Sequence, residues 1–180
     1  EQKMRAKNVN FGVVYGITAP GLAEQTDSSA KDAQMWIDAW FKKFPDAGEF
    51  IEACKLAPTR GQTLITAFGR HKRPGIVSQE KLMDIMNEFA NFPMQSPASD
   101  CTLYAGIELA PVLKEKYDTY VCNLIHDALL LDAPDDDAIC AEVKTLTITK
   151  MQEVPKMWGF NIIPFVAEAK EGYRWGSLKG

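Results

Sequence analysis

Lys3-Met4-Arg5-Ala6-Lys7-Asn8-Val9-Asn10-Phe11-Gly12-Val13-Val14-Tyr15-Gly16 opens the chain with Lys3, Lys7, Phe11 and Tyr15 spaced four apart. Successive steps of four along an α-helix drift by only about 40°, so these four side chains share one face. The cations lie toward the helix N-terminus, where free amides and the macrodipole also favour anions, and the rings lie toward the other end. At about 1.5 Å per residue the face runs roughly 18 Å, the length of a nucleotide from triphosphate to base. The same spacing also describes an ordinary amphipathic helix that packs its rings into a core, so residue pattern alone leaves both readings open.

Lys7-x-x-Asn10-Phe11-Gly12-x-x-Tyr15-Gly16 resembles motif B of the family A DNA polymerases, the bacterial DNA polymerase I and bacteriophage replicase group. There the motif forms the main helix of the fingers. The resemblance implies that Lys7 binds an incoming triphosphate, with Lys3 and Arg5 beside it. It also implies that Phe11 stacks by sugar and base and that Tyr15 lies beside the template base. One position departs, because the family usually places arginine where Lys3 stands. Lysine keeps the charge but loses the forked donor geometry.

The bulk composition bounds this reading. With 180 residues, 46% of them hydrophobic and 24% charged, the chain suffices for one modest core or two small lobes. A net charge of −4 and a pI near 5.3 argue against a protein that coats nucleic acid indiscriminately. The charge is uneven, however. Lys3, Arg5 and Lys7 form one basic cluster, Arg70, His71, Lys72 and Arg73 a second, and Asp132, Asp135, Asp136 and Asp137 an acidic one. Cys54, Cys101, Cys122 and Cys140 are widely spaced, with neither a C-x-x-C pair nor more than two histidines, which points to reduced, buried thiols rather than zinc or disulfides. No apolar run is long enough to span a bilayer and no signal-peptide pattern opens the chain, so the expectation is a soluble, cytoplasmic protein. The chain begins at Glu1 rather than methionine, which leaves open an excised, processed or otherwise incomplete piece.

Along the chain, Ile17 to Pro20 read as a break. Helices are expected from about Ser29 to Lys43 and from Ala47 to Leu56, with Trp36 and Trp40 as core anchors. Gly61 to Arg70 reads as a short hairpin or extended ribbon and is similar to a glycine-threonine-glycine-arginine element that follows the fingers helices in the family. Arg70 is thereby assigned to DNA contact. Helix resumes from about Ser78 to Asn91. After the stretch Asn91 to Asp100 it continues to about Lys116. A lobe boundary falls near residue 85, with 1–85 as fingers and 86–180 as the latter part of the palm.

The Asn91 to Asp100 stretch is similar to the family segment whose asparagine and glutamine reach the minor groove at the primer end, which would make Asn91 and Gln95 DNA contacts. Minor-groove acceptors are nearly alike for all base pairs, so amide donors there check pair shape without reading sequence. Taken alone, such residues are more often a helix cap and a surface amide. The arginine that the family carries a few residues earlier is not evident here, and Asn87 stands near its place.

Thr119 to Ile125 alternates like a half-buried strand, Ala128 to Leu131 reads as its return, and His126-Asp127 sits between them. Aspartate is common in turns for local reasons. Behind a motif B, the pair resembles motif C. That implies a two-ion Mg²⁺ mechanism in which Asp127 is a metal ligand and His126 contacts the primer terminus and DNA. The second essential aspartate belongs to a family segment upstream of motif B and is not in this chain. Ala128 stands where the family has a further acid. An apolar strand over Asn161 to Ala167 and a packing role for Trp175 in a G-x-x-W complete the resemblance.

The sequence therefore points to an α+β fold: a helical fingers lobe plus part of an antiparallel-sheet palm, in an incomplete right-hand architecture. The function it implies is template-directed DNA synthesis, transferring a nucleotide from dNTP to a primer 3′-hydroxyl. Primer–template DNA, dNTP and the N-terminal part of the same polymerase, or a separate complementary chain, are the expected partners, and this chain alone is expected to be inactive. A non-catalytic nucleic-acid-binding or assembly subunit and a fragment of a single-subunit RNA polymerase are the competing readings.

Overall fold

The computed structural model describes residues 2–76 and 78–178. They are mostly helical with two small antiparallel sheets, an α+β arrangement, and divide into two compact units, Glu1–Ser96 and Pro97–Gly180. The sequence places its change of lobe near residue 85; the geometric division falls at Ser96.

In the first unit, α1 (Gln2–Val14) ends where its sequence says it should. Gly16 takes φ 73°, its N–H donates to the Val13 carbonyl at 3.0 Å, and the Ile17 N–H donates back to the Gly12 carbonyl at 2.8 Å. This is a Schellman close with glycine at the left-handed position. A Cβ on Gly12 would lie 2.7 Å from Ile17 Cγ2, so the first glycine of the motif lets Ile17 fold back over the helix end. α2 (Ala19–Thr26) follows at once. The Ile17–Pro20 stretch is thus a helix start rather than a break. The Thr18 hydroxyl accepts from the Gly21 N–H and Pro20 sits in the first turn, where a proline loses no hydrogen bond.

Ser29 caps α3 (Ala30–Lys43), its Oγ accepting from the Asp32 N–H at 3.0 Å. α4 (Pro45–Leu56) begins on proline. Val13, Leu22, Ala23, Ala33 and Ile37 form the core among the first three helices, with half-buried Trp36 and Trp40 packed at its margin as anchors. The expected ribbon is present as β1 (Leu64–Ile65) paired with β2 (His71–Lys72). Thr66 turns it: its N–H donates to the Arg70 carbonyl and its hydroxyl accepts from the Arg70 N–H.

α5 (Leu82–Tyr117) is one helix of 36 residues that runs through Pro93, Pro97 and Pro111. Each proline removes one ladder bond. Burial of Phe89, Ala90 and Pro97 along the same stretch offsets that loss.

In the second unit, Ala105, Leu109, Leu113 and Tyr117 recur every four residues on one face of α5. They meet Val143 and Val154 of α6 (Asp137–Met157), together with Val121, Leu129 and Leu131. The last three belong to the hairpin of β3 (Tyr120–Ile125) and β4 (Ala128–Asp132), which extends the expected strands almost residue for residue. A Cβ on Gly106 would lie 3.2 Å from Leu129 Cδ2 and 3.7 Å from Leu124 Cδ2, so the hairpin lies directly on the helix there. α6 was not legible as a helix in the acidic run before it, yet that run starts it: Asp136 Oδ1 accepts from the N–H groups of Ala138 and Ile139.

Three further expectations fail. Asn161 to Ala167 forms no strand: a strand needs a ladder partner, the described residues provide none, and Ile162 and Val166 are left 97% and 76% exposed. Trp175 is 49% exposed in a short 3₁₀ turn rather than packed away. Of the cysteines, all free, Cys54 is buried but Cys122 is exposed, because it is the extra residue at an irregularity in β3 between Val121 and Asn123.

Candidate functional site

The buried stripe of α1 is Val9 and Val13, and the face predicted to meet a nucleotide points away from that core. Phe11 is 56% exposed and Tyr15 44%, values that a core-packing amphipathic helix would not leave on its two rings. Lys3 and Lys7 are exposed beside them, and Arg5 is half-buried. Lys7 Nζ stands 5.7 Å from the centre of the Phe11 ring, so cation and ring are held as neighbours. Lys7, Phe11 and Tyr15, with Asn8, Gly12, Ile17 and Gln25, line an open groove of about 530 Å³. Asn10 faces elsewhere: its Oδ1 accepts from Trp40 Nε1 at 2.9 Å and ties α1 to α3.

Tyr15 also borders a second groove, of about 460 Å³, lined by Lys72, Glu88, Asn91, Phe92, Gln95 and Ser96. Asn91 and Gln95 are one helical turn apart on α5, which is why both reach it. The Asn91 Oδ1 is buried without a hydrogen-bond partner among the described residues. Gly16 sits against this part of α5 so closely that a Cβ there would lie 2.6 Å from Asn87 Oδ1. The structure thus gathers Lys7, Phe11 and Tyr15 on one groove and Tyr15, Asn91 and Gln95 on the next. Lys3, Arg5 and Arg70 line neither groove.

Sequence reading missed Lys72 as a groove residue. Its signal was the alternation of the ribbon: Lys72 is half-buried where its strand neighbour His71 is exposed.

In the second unit, the register pairs Ile125 with Ala128 and leaves His126 and Asp127 as the two residues of a tight tip. His126 takes φ 56°, the left-handed conformation that primed hairpin turns demand and that glycine or asparagine usually fills. Both side chains are exposed. Asp127 is therefore free of core contacts and open to a ligand. Among the described residues no group of three or more His, Cys, Asp or Glu side chains is placed to hold a metal ion. Mg²⁺ prefers octahedral oxygen coordination, so Asp127 fits as one ligand of such an ion and does not by itself make a site.

The sequence pattern of DNA polymerase family A matches residues 1–177. DNA polymerase I of Streptococcus pneumoniae is 30% identical over 181 residues, which is 98% of this chain and 20% of that protein. DNA polymerase I of Caldicellulosiruptor bescii is 31% identical over 184 residues, covering 99% of this chain and 21% of that one. The DNA polymerase of Bacillus phage SP01 is 27% identical over 187 residues, covering 98% and 20%. The polymerase domain of Pol1 from M. smegmatis, solved with DNA primer-template and dNTP, superposes with a TM-score of 0.70 over 84% of this chain and 27% of its own length, at 22% identity, a likeness of fold.

The curated relatives are DNA polymerases. The chain belongs to DNA polymerase family A. It spans about a fifth of the length of the curated relatives it matches. No helix among the described residues is long and apolar enough to cross a membrane.

Proposed function

We propose that this chain is the part of a DNA-directed DNA polymerase that binds dNTP and the primer terminus during nucleotidyl transfer to a primer 3′-hydroxyl, with 1–85 working as fingers and 86–180 as the latter part of the palm. The observation that carries the reading is the exposure of Phe11 and Tyr15 beside Lys7 on a helix whose opposite stripe is buried.

On this reading Lys7, aided by Lys3 and Arg5, neutralises the triphosphate, whose charge the helix N-terminus also favours. Phe11 offers a flat apolar wall to sugar and base. Tyr15, at the meeting of the two grooves, borders both the incoming nucleotide and the pair already formed. Asn91 and Gln95 offer amides to the minor groove of that pair, and Arg70 and His126 contact the DNA backbone and the primer end. Binding energy spent this way orients the reactants, which is most of what a protein contributes to phosphoryl transfer.

Asp127 supplies one carboxylate of a two-ion Mg²⁺ site whose other carboxylate lies outside this chain. When bound, those ions supply charge neutralisation at the reacting phosphate and its neighbours.

Extension of a labelled primer on a template tests the reading. The chain alone is expected to add no nucleotide; joined to the remaining part of a polymerase it extends the primer, and Asp127→Asn abolishes that extension while duplex binding persists. Duplex binding with no synthesis in any pairing would leave a non-catalytic binding subunit as the correct description.

A further inference from the structure

Lys72 is the cation of the groove that holds Tyr15, Asn91 and Gln95, among its described lining residues, and Glu88 is its acid. Lys72 Nζ lies 2.8 Å from Glu88 Oε2. It also stands 5.4 Å from the centre of the Phe89 ring and 5.9 Å from that of Phe92. Phe89 is 1% exposed, so the ammonium stands beside a ring packed in the interior, and the backbone of Lys72 is held in β2. The partner is different in kind: the Glu88 side chain is 62% exposed against 25% for Lys72. A pair with one partner so open to water is held weakly. A phosphate oxygen entering the groove offers the same charge and competes on equal terms.

The other groove groups suit a nucleic acid strand. Tyr15 and Phe92 give aromatic surface, Asn91, Gln95 and Ser96 give neutral polar groups, and Arg73, next to Lys72 in sequence, adds a positive charge.

We propose that Lys72 is a phosphate-binding residue of this groove, parked on Glu88 when the groove is empty and transferred to a backbone phosphate when a primer–template duplex enters. This rests on the polymerase reading and adds to it a residue and an exchange of partners. Glu88 is then an internal competitor of the DNA. Removing it strengthens binding, and removing Lys72 weakens it.

The test is duplex binding by the full chain, followed by fluorescence anisotropy of a labelled primer–template across a salt series. Each phosphate neutralised contributes about 0.9 to the slope of log affinity against log salt. Lys72→Met is expected to weaken binding and to flatten that slope by about 0.9, so that its affinity falls about 3.5-fold less than that of the parent between about 50 and 200 mM salt. Lys72→Arg keeps the parent slope. Glu88→Gln tightens binding several-fold with the slope unchanged, and the double variant behaves as Lys72→Met.

A strut that merely holds the ribbon to α5 would show both single variants weakening binding together, because each breaks the same pair, and that result overturns the proposal. So does Lys72→Met with an unaltered slope while the parent binds duplex normally; in that case only the role of Lys72 falls. A parent chain that binds no duplex overturns the polymerase reading and this inference with it.

Discussion

Replacing Gly16 by alanine probes the joint between α1 and α5 beside the groove that holds Tyr15, Asn91 and Gln95. Two penalties add. Gly16 holds φ 73°, a conformation that costs a residue with a Cβ about 1–2 kcal/mol. The new Cβ would also lie 2.6 Å from Asn87 Oδ1 and 3.3 Å from its Cγ, with Lys55 Nζ at 3.4 Å. The nearest of these belongs to the end of a rotatable side chain, so Asn87 gives way by leaving its rotamer, at about 0.5–1.5 kcal/mol. The sum is about 1.5–3.5 kcal/mol.

Gly69→Ala is the control, since Gly69 has φ 76° and nothing within 4 Å of its Cβ position, and so carries the backbone penalty alone. The assay is urea unfolding followed by tryptophan fluorescence, in which Trp36 and Trp40 report on the first unit. Gly16→Ala should exceed Gly69→Ala by about 1 kcal/mol, and that excess should vanish when Asn87→Ala is added, as expected of a contact pair. Equal destabilisation by the two glycine variants, or an excess that survives removal of Asn87, would refute the reasoning.

Three further outcomes follow from the site and the cysteines. Phe11→Tyr in the active, completed polymerase is expected to raise incorporation of dideoxynucleotides, as the family resemblance of that position implies, and unchanged discrimination in primer-extension ladders would count against the register of α1. Burial pushes the Cys54 thiol up, and burial followed by the Asp100 charge does the same for Cys101, whereas Cys122 is exposed. An alkylating reagent at mildly alkaline pH should therefore modify Cys122 first and Cys54 only on unfolding, as read by peptide mass spectrometry. The stability linked to the two raised thiols is full below the pKa of an unfolded cysteine and is lost as pH rises through the higher folded values, so unfolding midpoints should fall on the alkaline side.

Much of the fold was legible because its causes are local. The helix α3 was readable from Ser29 and the stripe of Trp36, Ile37 and Trp40. The β3–β4 hairpin was readable from alternation on either side of His126-Asp127, and its tip carries the carboxylate where the pattern put it. The helix α2 was missed although Thr18 and Pro20 announce it, and α6 was missed although Asp136 caps it; both signals were present but were read as a break and as an acid run.

The sequence by itself determined which residue types share a face of α1, where its glycines close the helix, and the family to which the whole belongs, since all of these depend on spacing along the chain. Only tertiary structure decided that Val9 and Val13, not Phe11 and Tyr15, take the core side of α1, and that Lys72 comes from a separate ribbon to the groove shared by Tyr15, Asn91 and Gln95. It also decided that Asn161 to Ala167 stays without a ladder among the described residues. Burial and strand pairing are properties of partners far apart in sequence, and no local pattern can say whether the partner is there.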